Sequence, residues 1–300
     1  MGALTGALII ATSAILVRQS GASAAPASFF RCLFALPVLG VLAVRDRRRR
    51  PALTPQARWT VWGAGLLLAI DLVLWSRAIA YVGAGLATVL ANLQVLLVAG
   101  LAWWLLHERP GRSLLAAVPV MIVGVALISG LGSQHTFGSN PGLGALYGAL
   151  ASVTYAGFLL LFRQGMPAPG PGNGAVQPLL HATAGATVGC AVLMLATHDV
   201  ALGPAWPALG WLAVLAMSSQ VVGWLLISNS LPRLPAALTS AVLLVQPVGA
   251  VALGALLFGE HPSAGQLAGV GLVLVGVLVA TAVDPVLAKY RRRREPARAL

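Results

Sequence analysis

Charged side chains inside long apolar stretches are the first candidates for chemistry in this chain. Arg31 stands in the apolar stretch 25–44 and Asp71 in the stretch 59–80. If both stretches are helices crossing a bilayer, at ~1.5 Å per residue and with a ~30 Å core, the two side chains reach nearly equal depths. A lone carboxylate there costs several kcal/mol unless it is neutral, paired or hydrated. Arg31 and Asp71 could therefore form a structural ion pair, act as a gate or proton-coupling pair, or face separate cavities.

Two glutamines form a second candidate pair. Gln94 and Gln246 coincide when residues 59–128 are laid over residues 211–280 at a constant shift of 152. Each lies ~15 Å along its apolar stretch, near the bilayer midplane. An amide supplies two donors and an acceptor oxygen, which suits a zwitterionic or neutral polar solute. The alternative is a hydrogen bond between the two copies, worth about 0.6 kcal/mol.

A histidine occupies the place of Arg31 in the second half of the chain. His181 follows Arg31 at a shift of 150. Imidazole changes charge near physiological pH, which suits a proton-linked gate. A neutral histidine that packs and hydrogen-bonds between helices is the alternative.

Two tryptophans stand beside polar residues. Trp75 follows Asp71 by four residues, and Trp224 follows Gln220 by four, so each pair shares a helix face. Aromatic walls beside polar groups are typical of solute pockets. Packing against neighbouring helices explains both tryptophans equally well. Tyr155 is a weaker member of the same class.

Composition predicts the elements that position these side chains. Of the residues, 58% are hydrophobic and 9% charged, against about 25% charged in soluble domains. Too few polar residues remain to build a soluble exterior, so we expect an integral membrane protein. Backbone groups in lipid must be satisfied within their own segment, which predicts an all-α fold. Ten apolar runs of roughly 20 residues predict ten transmembrane helices, near residues 2–17, 25–44, 59–80, 84–106, 113–131, 142–162, 176–196, 206–228, 235–258 and 263–283.

The internal repeat predicts how these helices are arranged. An odd number of apolar runs separates corresponding points of the two copies, so the second copy must cross the membrane in the opposite direction. We therefore expect two inverted five-helix repeats over residues 1–131 and 142–283, followed by a basic cytoplasmic tail over 284–300. Glu108 and Glu260 also coincide at the shift of 152. Each ends an apolar run shortly before a proline, so we interpret both as interfacial turn residues.

Positive charge predicts the orientation. All but Arg18, Arg31 and Arg77 of the 19 Lys and Arg residues lie in loops and a tail on the same side as the N-terminus. This distribution predicts that both termini are cytoplasmic in a multi-pass protein of the cell membrane. The basic clusters 45–50 and 289–294 are expected to lie near anionic lipid headgroups, so the net charge of +12 does not indicate nucleic-acid binding.

Cofactor, metal and ATP chemistry are not expected. Cys32 and Cys190 fall in different apolar runs without metal-ligand spacing, and we interpret them as small core residues. The sequence has no Gly-rich phosphate-binding loop ending in Lys-Ser/Thr, so ATP does not drive this chain directly. No Ser/His, paired Asp or metal-spaced cluster falls at one depth, which disfavours an intramembrane enzyme.

Short motifs in a fixed order give the chain a family resemblance. The first half contains Pro26 to Arg31, Ala78 to Ala87, Glu108-Arg109-Pro110 and Gly124-Val125, and the second contains Pro235-Ala236-Ala237, Gln246-Pro247, Gly259-Glu260-His261-Pro262 and Gly276-Val277. With these motifs, the chain resembles the EamA-type members of the drug/metabolite transporter superfamily over nearly its whole length. The resemblance implies two tandem five-span units. It departs at Gln94-Val95, where the family usually has a proline, and at His181, where the second copy often has an arginine.

The resemblance also implies a carrier for small polar metabolites, amino acids or drugs, often working in export. We therefore expect a secondary transporter that alternates access to a midplane site and works as an exporter. Ion-gradient coupling to protons is one option for driving the transport. A membrane scaffold or sensor without transport is the alternative, and it predicts that the intramembrane polar residues are dispensable. The sequence leaves the substrate and the oligomeric state open, a homodimer included.

Overall fold

The computed structural model describes residues 2–48, 51–106, 111–131, 135–167, 174–200, 205–230, 242 and 244–294. Within these residues the chain is helical and contains no strand. The helices are α1 (Gly2–Ala11), α2 (Ser13–Ser20), α3 (Ala24–Arg47), α4 (Pro55–Ala91), α5 (Gln94–Leu106), α6 (Arg112–Ile128), α7 (Pro141–Gly165), α8 (Val176–Ala196), α9 (Ala208–Leu215), a π-helix (Ala216–Gly223), α10 (Trp224–Ser230), α11 (Val245–Phe258) and α12 (Ala264–Arg294).

Seven helical stretches of the described residues are long and apolar enough to cross a membrane. They are Gly2–Ser20, Ala24–Arg47, Pro55–Val98, Pro141–Gly165, Val176–Ala196, Ala208–Asn229 and Ala264–Thr281. Two shorter apolar helices, Arg112–Ile128 and Val245–Phe258, accompany them. The all-α, multi-pass membrane character predicted from composition is therefore confirmed.

Several helix ends follow directly from local sequence. Thr54 precedes α4 and its side chain accepts a hydrogen bond from the Ala57 amide at 3.2 Å, with Pro55 at the first helical position. Asn140 does the same for α7, accepting from the Leu143 amide at 3.0 Å ahead of Pro141. A capping side chain followed by proline is a strong helix start, because it satisfies a free N–H and fixes a helical φ.

The longest helix is broken at one glycine. Gly83, inside α4, has φ 85° and ψ 170°, a backbone region that is essentially restricted to glycine. A Cβ at this position would also lie 2.6 Å from Oε1 of Glu260. The break falls between the two apolar runs 59–80 and 84–106 that the sequence predicts. The backbone conformation and the lack of space for a side chain both require glycine at this position.

Helix packing relates the two halves of the chain. α3 packs against α8, and α6 packs against α12. At the α6–α12 contact, a Cβ on Gly124 would lie 2.8 Å from the Gly269 carbonyl and 3.1 Å from the Val273 amide. A Cβ on Gly276 would in turn meet Met121 and the Ala117 carbonyl. Glycine thus lets these two helices approach closely at both places.

Candidate functional site

A buried arginine is held by a glutamine on a π-helix. Arg31 on α3 is 5% exposed, and its Nε donates a hydrogen bond of 3.0 Å to Oε1 of Gln220. Gln220 is fully buried, and its Nε2 donates to the Thr183 hydroxyl on α8 at 3.3 Å. The chain Arg31–Gln220–Thr183 therefore joins three helices through side chains. We name these residues, together with Asp71, the Arg31 cluster.

Gln220 lies in a π-helix, and this irregular backbone positions its side chain. Residues 216–223 form a π-helix inside the predicted run 206–228. A π-helix widens the turn and changes which side chains share a face, and such segments are frequent at functional sites. The sequence pairs Gln220 with Trp224 by α-helical spacing, but it contains no signal for the π turn. The contact between Gln220 and Arg31 could not be predicted for that reason.

Asp71 lies close to Arg31 without contacting it. Asp71 is 7% exposed as a residue, and Arg31 and Tyr155 are near enough to interact with its carboxyl group electrostatically. Between these described residues, however, no ion pair within 4.0 Å joins Asp71 to Arg31, and no described side chain or amide donates a hydrogen bond to Asp71. The direct ion pair that equal depth allowed is therefore not formed, and Nε of Arg31 bonds to Gln220 instead.

Aromatic rings line one side of the cluster. Trp224 lies edge-on to Phe158 at 5.6 Å between ring centroids, to Phe162 at 6.3 Å and to Tyr155 at 6.5 Å. Tyr155 is also within electrostatic range of Arg31. Trp75 is 8% exposed and packs in a separate apolar cluster with Val17 and Ile79. The structure thus brings Trp224 and Tyr155 together and leaves Trp75 apart from them.

The glutamine pair is not joined. Gln94 begins α5 and Gln246 is the second residue of α11, and both are partly buried. Among the described residues no hydrogen bond links the two amides, and Oε1 of Gln94 is buried without a hydrogen-bond partner. The bond between the two copies, which was one expectation, is therefore not made. Contact with a solute remains a prediction for both glutamines.

His181 lies at a different place in the bundle. It is partly exposed on α8, and the charges that act on it are those of Arg58 and Arg47. These arginines stand at the start of α4 and the end of α3. His181 therefore faces the basic end of the helices, away from the Arg31 cluster, although it corresponds to Arg31 in the repeat.

Glu260 contradicts its interpretation as an interfacial turn residue. It is only 2% exposed, and its Oε1 pairs with Nη1 of Arg18. The same carboxylate accepts hydrogen bonds from the backbone amides of Ala84 at 2.7 Å and Gly85 at 3.1 Å. We name Arg18, Ala84, Gly85 and Glu260 the Glu260 junction.

The break at Gly83 explains why a carboxylate is buried in the Glu260 junction. Where a helix restarts, its first N–H groups have no acceptor within the helix, and the positive end of the helix dipole favours an anion. Small residues make the space, since a Cβ on Gly254 would collide with the carboxylate and one on Gly85 would lie 2.8 Å from the Val251 Cα. Its repeat counterpart, Glu108, lies outside the described residues.

The chain is similar to known proteins in both sequence and fold. The EamA-like transporter family matches residues 1–130 and 142–282. The chain is also similar to a protein of solved crystal structure, with 18% sequence identity and a TM-score of 0.61. The match covers 95% of this chain and 97% of the other chain, which shows a shared fold. No curated protein matches the chain. The family match spans both halves, so the chain belongs to the EamA-like transporter family of the drug/metabolite transporter superfamily.

Proposed function

We propose that this chain is a secondary transporter that moves a small polar metabolite, amino acid or drug by alternating access to the Arg31 cluster. The proposal rests on the observation that both halves of the chain contribute side chains to the cluster. Arg31 and Asp71 come from the first half of the chain, and Thr183 and Gln220 come from the second. A solute bound between two halves that move against each other can be exposed first to one side and then to the other.

Reciprocal packing supports the inversion of the two units, over residues 1–131 and 142–283. Gly124 packs on residues 269 and 273, and Gly276 packs on residues 117 and 121. Each of these three pairs of residue numbers (124 and 276, 117 and 269, 121 and 273) differs by 152, the shift of the sequence repeat. A two-fold axis through the α6–α12 contact would relate these contacts to one another. Such an axis in the membrane plane relates the halves of inverted-repeat transporters.

Helix length supports ten crossings. The stretch Pro55–Val98 has 44 residues, which at ~1.5 Å per residue is about twice the ~30 Å hydrocarbon core. Helical residues continue to Leu106, so the break at Gly83 separates residues 55–82 from residues 84–106, and each of these segments suits one crossing. Together with the shorter apolar helices Arg112–Ile128 and Val245–Phe258, this division gives ten spans.

The distribution of charge supports the proposed orientation. The basic loops favour cytoplasmic termini in the cell membrane. Residues at the proposed outer ends of the helices meet in the structure: the Asp199 carboxylate accepts hydrogen bonds from the Ser23 hydroxyl at 2.5 Å and the Ala25 amide at 3.3 Å. At the proposed inner ends, Nε2 of Gln177 donates to Oδ2 of Asp46 at 3.4 Å. Outer residues thus contact outer residues and inner residues contact inner residues, as expected if successive helices cross the membrane in alternating directions.

Charge and shape suggest the solute class. Among the described residues Arg31 donates only from Nε, to Gln220, so its remaining N–H groups could bind a carboxylate. Asp71 could neutralise an ammonium group or carry a proton, and Trp224 offers an apolar wall. We infer that the solute carries both an acidic and a basic or polar group, that transport is in the export direction, and that Asp71 couples it to protons.

Reconstitution into vesicles tests the proposed function. Purified protein is assayed with a panel of amino acids and cationic drugs, with and without an imposed proton gradient. We expect accumulation of at least one panel member that depends on the protein and increases with the gradient. Thr183→Ala should lower this transport, whereas Ser152→Ala, which removes a buried hydroxyl bonded to the carbonyls of Leu90 and Gly148, should not. Folded protein that moves no panel member, or equal loss in both variants, would contradict the proposal.

A further inference from the structure

A cavity lies beside the Glu260 junction, and its lining includes no residue of the Arg31 cluster. Its volume is about 460 Å³. Polar side chains and apolar side chains both line it: Arg18, Ser76 and Ser139 on the polar side, and Val17, Ile79 and Phe137 on the apolar side. A cavity with an apolar wall and a few convergent polar groups is the ordinary form of a small-molecule site.

Arg18 reaches this cavity with most of its donors unused. Its side chain is 34% exposed, and Nη1 pairs with Glu260. The guanidinium also stacks on the Phe258 ring, 4.4 Å from the ring centroid. Within the described residues no other acceptor receives a hydrogen bond from Arg18, although a guanidinium carries five N–H donors. The stacked ring holds the guanidinium plane in place, so its free edge is preorganised for an anion.

No second anion competes for that edge inside the cavity. The lining residues include no aspartate or glutamate, and Glu260 already accepts two backbone hydrogen bonds besides its pairing with Arg18. The hydroxyl groups of the lining belong to Ser76, Tyr81 and Ser139. The site thus combines one cation, neutral hydroxyls and an apolar wall, a composition complementary to an organic anion.

We propose that this cavity binds a small organic carboxylate with a compact apolar body. The carboxylate accepts hydrogen bonds from Arg18, as arginine–carboxylate pairs commonly do in a forked geometry, and the apolar body packs on Val17, Ile79 and Phe137. The proposal concerns a separate site and holds whether or not the Arg31 cluster transports a solute.

Glu260 sets the strength of this site. Its carboxylate partly neutralises Arg18, so it competes with any bound anion for the same guanidinium. The amides of Ala84 and Gly85 donate to different oxygens of Glu260, so Glu260→Gln keeps an acceptor for only one of them and removes the negative charge. We therefore expect anions to bind more tightly to Glu260→Gln than to the unchanged protein, and not to bind to Arg18→Gln.

Cysteine labelling in detergent provides the test. Ser139 is exposed and lines the cavity, so a Ser139→Cys variant should react with a maleimide, whereas the native Cys32 and Cys190 are fully buried and leave the unchanged protein as the unlabelled control. Benzoate and benzamide serve as probes of equal shape with and without charge. We expect benzoate to slow labelling with an apparent Kd about tenfold below that of benzamide, a difference of ~1.4 kcal/mol.

Variants separate recognition from general damage. Adding Glu260→Gln should widen the benzoate–benzamide difference, and adding Arg18→Gln should abolish it. Arg77→Gln is the charge control, since Arg77 bonds to the Tyr147 hydroxyl at 3.4 Å and does not line the cavity. If Arg18→Gln does not fold, Arg18→Lys should weaken protection by benzoate. Equal effects of benzoate and benzamide on the Ser139→Cys protein, or no effect of either, would overturn the proposal without reference to transport.

Discussion

The Arg31 cluster and the Glu260 junction each combine an arginine with a buried carboxylate, but their bonding differs. In the Glu260 junction the carboxylate receives two backbone N–H groups and a guanidinium, so its charge is neutralised where it lies. In the Arg31 cluster the arginine bonds to a neutral amide, and Asp71 accepts no hydrogen bond from the described residues. A satisfied buried charge stabilises one arrangement, whereas an unsatisfied one can exchange partners. We therefore propose a fixed structural role for Glu260 and, for Asp71, a role in which the carboxylate exchanges partners.

The largest effect should come from removing the satisfied carboxylate. Glu260→Ala leaves the buried amides of Ala84 and Gly85 without their acceptor, which costs about 1–3 kcal/mol for each amide. Arg18, with a side chain that is 34% exposed, is partly solvated and adds less. The free energy of unfolding, measured by denaturant titration in mixed micelles, should fall by the sum of these costs. Glu260→Gln is the control, because it retains an acceptor oxygen and should lose less. Equal stability of Glu260→Ala and the unchanged protein would show that the junction is not structural.

A smaller loss should follow at the Arg31 cluster. Gln220→Leu removes the acceptor of Arg31 Nε and leaves a buried charge with one partner fewer. A hydrogen bond to a charged group contributes about 1.5–3 kcal/mol, so stability should drop within that range, and transport should drop further because Arg31 loses its orientation. Ser152→Ala serves again as a buried polar control. A loss of stability with transport per folded molecule unchanged would exclude Gln220 from the transport site.

The broken helix can be tested at Gly83. Gly83→Ala places a side chain in a backbone region that costs about 1–3 kcal/mol for other residues, and its Cβ would press on Glu260. Thermal unfolding should shift to lower temperature. Gly63→Ala in the same helix meets nothing within 4 Å and should change stability little. Similar results for the two variants would mean that the Glu260 junction does not depend on the break.

The amide of Gln94 should matter least for stability. Its Oε1 is buried and accepts no hydrogen bond among the described residues, so Gln94→Leu removes no bond from that atom. We expect the free energy of unfolding to change by less than about 1 kcal/mol, with transport as the separate readout of solute contact. A loss as large as that of Gln220→Leu would reveal a structural partner for Gln94.

The sequence predicts those parts of the molecule that depend on composition and periodicity. Apolar runs and Pro/Gly boundaries locate the helices, since lipid forces the backbone to satisfy itself. Equal depth also places Asp71 near Arg31, and the structure keeps the two within electrostatic range. Depth does not specify the helix face, however, and the π-helix turns Gln220 toward Arg31 in a way that α-helical spacing cannot predict.

The junction at Glu260 could not be predicted for a different reason. At the end of an apolar run, a glutamate followed by His-Pro resembles any interfacial turn. Its burial depends on a break at Gly83, which lies far away in the sequence, and on small residues such as Gly254 that leave room for the carboxylate. Contacts between distant segments of this kind leave no local periodic signal.

Transport by Asp71→Asn, measured in vesicles at equal amounts of folded protein, tests the central assignment most directly. Asparagine has nearly the same size but carries neither charge nor a titratable proton, and Asp71 has no described hydrogen bond to lose. We predict stability close to that of the unchanged protein and transport lowered about tenfold or more, equivalent to ~1.4 kcal/mol. Unimpaired transport by folded Asp71→Asn protein would contradict the role assigned to this carboxylate.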